Sequence, residues 1–108
     1  IRLLEKNNVS VVASFISPYI ESRDEIRKMI KDNFIEIYVK ASVDSCRKRD
    51  TKGMYERADK GELKNFTGIS DVYEEPRTPA LVLDTETYSA EQCAQQVIQY
   101  VDKHLLKR

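Results

Sequence analysis

The chain has 108 residues, 41% apolar and 33% charged, and its lysines and arginines balance its aspartates and glutamates to a formal net charge of zero. That is the size of one domain or part of one, and the neutral balance lacks the basic excess that non-specific nucleic-acid binding requires. No apolar run approaches membrane-spanning length and no signal-peptide pattern is visible, while the two cysteines, Cys46 and Cys93, make neither a disulfide framework nor a zinc cluster and fit reduced thiols in a cytoplasmic protein.

Ile1 to Lys6 reads as the end of a helix stopped by Asn7-Asn8, and the chain opens without a methionine, as a fragment or processed product would. Val9 to Phe15 is short, apolar and β-branched, the signature of a buried strand. Ile16 to Tyr19 follows as a loop, because Pro18 biases Ser17 away from helix. Ser22 with Glu25 three residues on resembles a capping box, opening a helix to about Lys31 whose apolar face is Ile26, Met29 and Ile30. Phe34 to Val39 is the second expected strand, and Ser42 caps a short helix containing Val43 and Cys46. A long segment from about residue 50 to 79 holds all three glycines and a helical piece from Met54 to Lys60. Ala80 to Asp84 is a third strand, and the Ser89/Gln92 pair caps a last helix carrying Cys93, Val97, Ile98, Val101 and Leu105 at helical spacing.

Strands alternating with helices predict an α/β domain of parallel βαβ units. In such a sheet the ligand crevice lies beyond the carboxyl ends of the strands. Residues 16–19, 40–42 and 85–88 are therefore expected to converge on one mouth. The cationic, glycine-bearing segment 50–79 then reads as a lid over it.

Three groups of side chains suit an anionic ligand with a flat ring. Arg23 and Arg27 lie one helical turn apart and present guanidinium groups on one face; both a solvated face paired with Glu21 or Asp24 and a phosphate or sulfate site fit that spacing. Arg47, Lys48, Arg49 and Lys52 gather at the end of a short helix. The helix dipole accounts for one or two of them, and less well for Lys52 ahead of Gly53 and Tyr55. Phe66 is either an anchor for the loop or a ring that stacks on a base. No Ser-His-Asp arrangement, carboxylate pair or G-x-x-x-x-G-K-[ST] run is present, and no metal ligands are assigned.

At these residues the sequence resembles the adenylylsulfate kinase family. Ser14-Phe15-Ile16-Ser17-Pro18-Tyr19 is similar to its S-F-I-S-P-Y turn, and Phe34 to Val39 to its F-x-E-[IV]-[FY]-V strand. Cys46, Arg49-Asp50 and Lys52-Gly53-Met54-Tyr55 match C-x-x-R-D-x-K-G-[LM]-Y. Gly61 to Ile69 matches G-E-[IL]-K-x-F-T-G-I, and Tyr73-Glu74, Pro76 and Leu83-Asp84-Thr85 agree as well. The chain departs at Ile20, where many members have a basic residue, and at Thr51, where proline is common.

The resemblance implies a three-layer, parallel-sheet P-loop nucleotide kinase-like fold, of which residues 1–108 are the C-terminal part without the P-loop half. It implies transfer of the γ-phosphoryl group of MgATP to the 3′-hydroxyl of adenosine 5′-phosphosulfate, giving 3′-phosphoadenosine 5′-phosphosulfate and ADP. A non-catalytic regulatory domain that binds adenylylsulfate or its phosphorylated product is the alternative. By the same resemblance Ile16, Ser17, Pro18, Tyr19, Arg23, Lys52, Asn65, Phe66 and Thr67 contact the sulfate-bearing substrate, with Phe66 on its adenine. Arg49, Thr87 and Tyr88 lie on the ATP side. Ser17 corresponds to a serine described in the family as a transient phosphoryl acceptor, but no residue here supplies a base to activate it, which favours direct in-line transfer. Homodimers are implied, and both a stand-alone kinase and one fused to ATP sulfurylase fit. These 108 residues alone are expected not to turn over.

Overall fold

The structure is a computed structural model and describes residues 10–50, 52–61, 67 and 72–104. Helix α1 spans Ile20–Ile30 and runs through a 3-10 turn, Lys31–Asn33, into strand β1, Ile37–Lys40. Two short helices follow, α2 over Val43–Lys48 and α3 over Met54–Asp59. Strand β2 is Leu81–Asp84 and helix α4 is Ala90–His104. The expected helix over Ile1 to Lys6 lies outside the described residues. So do Asn65, Phe66 and Leu105.

The two strands pair in parallel, Ile37 opposite Leu81 through Lys40 opposite Asp84. A parallel pair requires a long crossover, which here carries α2, α3 and the segment beyond them. Side chains alternate across the sheet. One face carries Leu83, which is buried, and α4 packs on β2. The other carries Tyr38, whose ring stacks at 6.2 Å on Tyr73; Tyr73 is in turn covered by Arg23 of α1. A parallel strand pair with helices before, between and after its strands is of the α/β class. Among the described residues no helix is long and apolar enough to cross a membrane.

Several local expectations hold for the stated reasons. The Ser42 hydroxyl accepts from Ser45 N at 3.1 Å and caps α2. Ser89 and Gln92 form a reciprocal capping box, Ser89 N donating to Gln92 Oε1 at 2.8 Å and Gln92 N to Ser89 Oγ at 3.2 Å. Beyond those expectations, Gly61 closes the turn after α3 with a φ of 77°, a conformation that suits glycine.

Two expectations fail. Residues 10–15 form no strand; Val12 is 98% and Phe15 75% exposed. A strand needs a ladder partner, and the described strands pair only with each other. The capping box at Ser22 and Glu25 does not form either. Helix α1 begins three residues earlier, with Tyr19 at the N-cap position, because the Glu74 carboxylate accepts the Ile20 N–H at 2.8 Å from far along the chain. The apolar face of α1 also stays open, with Ile26 and Met29 exposed.

Candidate functional site

The segments that follow β1 and β2 meet. Lys40 O accepts two bonds from Thr85, from its N at 3.0 Å and its Oγ1 at 2.8 Å. Thr85 in turn accepts two bonds from Arg49, Nη1 to Oγ1 and Nη2 to the carbonyl, both at 3.0 Å. The guanidinium of Arg49 is therefore braced across the carboxyl ends of both strands. Beside it, Asp84 folds the next turn on itself: its carboxylate accepts Glu86 N at 3.1 Å and the Thr87 hydroxyl at 3.1 Å. Thr87 and Tyr88 follow directly, and Tyr88 is 44% exposed. Arg49, Thr87 and Tyr88 thus share one corner.

Glu86 joins α2 to this corner. Its Oε1 accepts from the hydroxyls of Ser42 and Ser45, each at 2.6 Å, and from Ser42 N at 3.3 Å. These donors, the Ser42 hydroxyl first, hold its carboxyl down to about 2 from the usual 4.5.

The root of the segment from residue 50 is a helical hairpin. Arg47 of α2 meets Asp59 of α3 with two bonds, Nε at 3.1 Å and Nη2 at 3.0 Å. Between the helices the Asp50 carboxylate accepts Glu56 N at 3.2 Å, and Gly53 adopts a φ of 67°. Tyr55 packs here against Cys46; burial, then the hydrogen bond with Cys46, pushes its hydroxyl up to about 12. Lys52 stands exposed at the apex, one residue before Gly53. Thr67 is half-buried.

The Ser17-Pro18-Tyr19 turn has its own fastenings, and none of the described hydrogen bonds ties it to the corner of Arg49. Glu74 N donates to Pro18 O at 2.7 Å. Arg23 donates from Nη1 to Ser17 O and from Nη2 to Glu74 O. Its Nε stands 3.5 Å from Glu36 Oε2, both side chains more than nine-tenths shielded, and Arg27 reaches the other oxygen of Glu36 at 3.0 Å. The expected convergence of three segments therefore holds for residues 40–42 and 85–88. The third, 16–19, is anchored instead toward Glu36, the residue before β1.

Arg23, whose spacing fitted both a solvated face and an anion site, is shielded within the fold. It is 6% exposed, and its three donor directions are taken by two carbonyls and a carboxylate. Its partner was Glu36, neither Glu21 nor Asp24. Sequence reading held Glu36, Glu74 and Thr85 within motifs and Glu86 within residues 85–88, but assigned none of them these contacts. A signal existed for the first, since an acid inside the apolar run Phe34 to Val39 needs a buried partner; the others are turn residues with no local pattern. Ser17 Oγ has no carboxylate or imidazole partner among the described contacts. A cleft of about 290 Å³ lies between α1 and residues 76–78, bordered by Arg27, Glu36 and Arg77, away from Lys52 and Arg49. Among the described residues no group of three His, Cys, Asp or Glu side chains could hold a metal ion.

Comparison with known proteins gives a consistent result. A family model described as adenylylsulphate kinase matches residues 1–84. A probable adenylyl-sulfate kinase of Aeropyrum pernix is 52% identical over 93 residues, 83% of this chain and 51% of that protein. The adenylyl-sulfate kinase of Staphylococcus carnosus is 44% identical over 102 residues, covering 94% of this chain and 51% of its own length. The solved structure of the Mycobacterium tuberculosis APS kinase in complex with AMPPNP and APS superposes with a TM-score of 0.80 at 34% identity, over 93% of this chain and 59% of that one. The chain spans about half the length of the curated relatives it matches.

Proposed function

Because this chain belongs to the adenylylsulfate kinase family, we propose that it forms the C-terminal part of a kinase domain that phosphorylates adenosine 5′-phosphosulfate at its 3′-hydroxyl. MgATP is the donor; 3′-phosphoadenosine 5′-phosphosulfate and ADP are the products. The observation that carries this reading is the bracing of Arg49 on Thr85 across the carboxyl ends of both strands. That is where a parallel sheet opens its ligand crevice, and it puts a fixed cation there.

In the reaction the 3′-oxygen attacks the γ-phosphorus in line, the bond to the β-phosphate oxygen breaks, and the hydroxyl proton departs to solvent or to a phosphoryl oxygen. Such a transfer asks the protein mainly for positioning and charge stabilisation. Arg49, with Thr87 and Tyr88, borders the ATP side. Lys52, exposed at the hairpin apex, reaches phosphoryl or sulfuryl oxygens as a point charge. Ile16, Ser17, Pro18 and Tyr19 line the substrate side, joined from the 50–79 segment by Asn65, Phe66 and Thr67, with Phe66 stacked on adenine. Ser17 binds and does not carry the phosphoryl group, since among the described residues no base stands beside it. Magnesium enters with ATP. The protein acts in the cytoplasm, as a homodimer.

The deciding experiment is MgATP-dependent phosphorylation of adenylylsulfate by the full-length protein, with the 3′-phosphorylated product resolved by chromatography. Product formation is expected. Tight adenylylsulfate binding without turnover would instead assign a regulatory domain, and neither binding nor turnover would overturn the reading.

A further inference from the structure

Ser17 carries a φ of 41°, in the left-handed region that L-residues with a side chain seldom adopt. Such a conformation persists only where its surroundings over-determine it. Here they do. The carbonyl of Ser17 and the carbonyl of Glu74 are held by the two terminal nitrogens of one guanidinium, that of Arg23. The next carbonyl, of Pro18, accepts Glu74 N at 2.7 Å, and the Glu74 carboxylate accepts Ile20 N at 2.8 Å on the far side of the turn. Glu36 fixes Arg23 from behind at 3.5 Å, and the Tyr73 ring lies 5.6 Å beneath it. A planar fork is needed to serve two carbonyls and a carboxylate together, which a lysine cannot do.

We propose that Arg23 is a positioning residue. It clamps the Ser17-Pro18-Tyr19 turn, which the proposed function puts on the substrate side, in its strained shape and ties it to residues 73–76. The substrate named here rests on the adenylylsulfate kinase reading; the clamp itself does not.

The test uses the full-length protein with Arg23→Lys and Arg23→Met. The KM for adenylylsulfate is expected to rise about tenfold or more in Arg23→Met, the worth of one lost charged hydrogen bond, and less in Arg23→Lys. The KM for ATP should stay within about twofold, because no described contact of Arg23 reaches the Arg49 corner. Amide exchange at Ile20 and Glu74 should quicken in both variants. A fall in kcat alone, or an equal rise in both KM values, would reduce Arg23 to a purely structural role and overturn the proposal. So would unchanged exchange at Ile20 and Glu74. If the wild type phosphorylates no adenylylsulfate, the functional reading fails while amide exchange still decides the clamp. If Arg23→Met does not fold, Arg23→Lys carries both readouts.

Discussion

Glu36 receives two arginines through its two carboxylate oxygens, Arg23 at 3.5 Å in a shielded site and Arg27 at 3.0 Å where the arginine side chain is 44% exposed. The shorter contact is the weaker one, because solvent screens it. Removing a partner from the shielded pair leaves an uncompensated charge, which costs about 3 kcal/mol or more. Glu36→Gln should therefore lower the denaturant midpoint substantially. Arg27→Met should cost about 1 kcal/mol at most, including its contact with the Phe34 ring. Equal effects from the two variants would contradict this ranking.

The depressed carboxyl of Glu86 gives a pH dependence with a definite sign. Its folded value, about 2, lies below the usual 4.5, so the stability it contributes is fully present above 4.5 and is lost as pH falls toward 2. Glu86→Gln should remove that dependence. Stability of wild type and variant measured across this window should converge at its acid end. A constant difference would mean that the carboxylate is not held by Ser42 and Ser45.

Arg49 and Lys52 are expected to separate kinetically. Arg49→Met removes a braced cation and should raise the KM for ATP about tenfold. Lys52→Ala removes the exposed charge that the proposed function assigns to the phosphoryl transfer, and should lower kcat by about 100-fold with little change in ATP binding. Steady-state kinetics on the full-length protein checks both; a Lys52→Ala enzyme with normal kcat would displace Lys52 from the reaction.

Gly53 stands at the start of α3 with a φ of 67°, and a Cβ added there would meet nothing within 4 Å. The cost of Gly53→Ala is then backbone strain alone, about 1 kcal/mol. Thermal melting should show a modest loss. A large one would mean that the hairpin apex packs against something beyond the described contacts.

Sequence patterns revealed what is locally determined. The caps at Ser42 and Ser89, the helix at Met54, and the apolar strand ending at Asp84 each follow from a few neighbouring residues. What escaped was set by distant ones. The start of α1 depends on Glu74, 54 residues away, and the task of Arg23 depends on Glu36 and Glu74. Residues 10–15 have strand composition, but composition cannot provide the neighbour that makes a strand. In the site, the cations near Arg49 were visible as a cluster; their bracing by Thr85 was not, because a threonine in a turn has no distinguishing pattern.

The bonds that shape the molecule join points far apart on the chain: 45 residues between Lys40 and Thr85, 51 between Arg23 and Glu74. Loops of that size must close before these contacts can repay the entropy lost. Assembly should therefore be slow and late, with α2, α3 and α4 forming early as local pieces and the strand ladder arriving last. A cut between α3 and Glu74 would leave both partners of each bond present but turn their meeting into a second-order encounter. Refolding of the cut protein would then depend on its concentration.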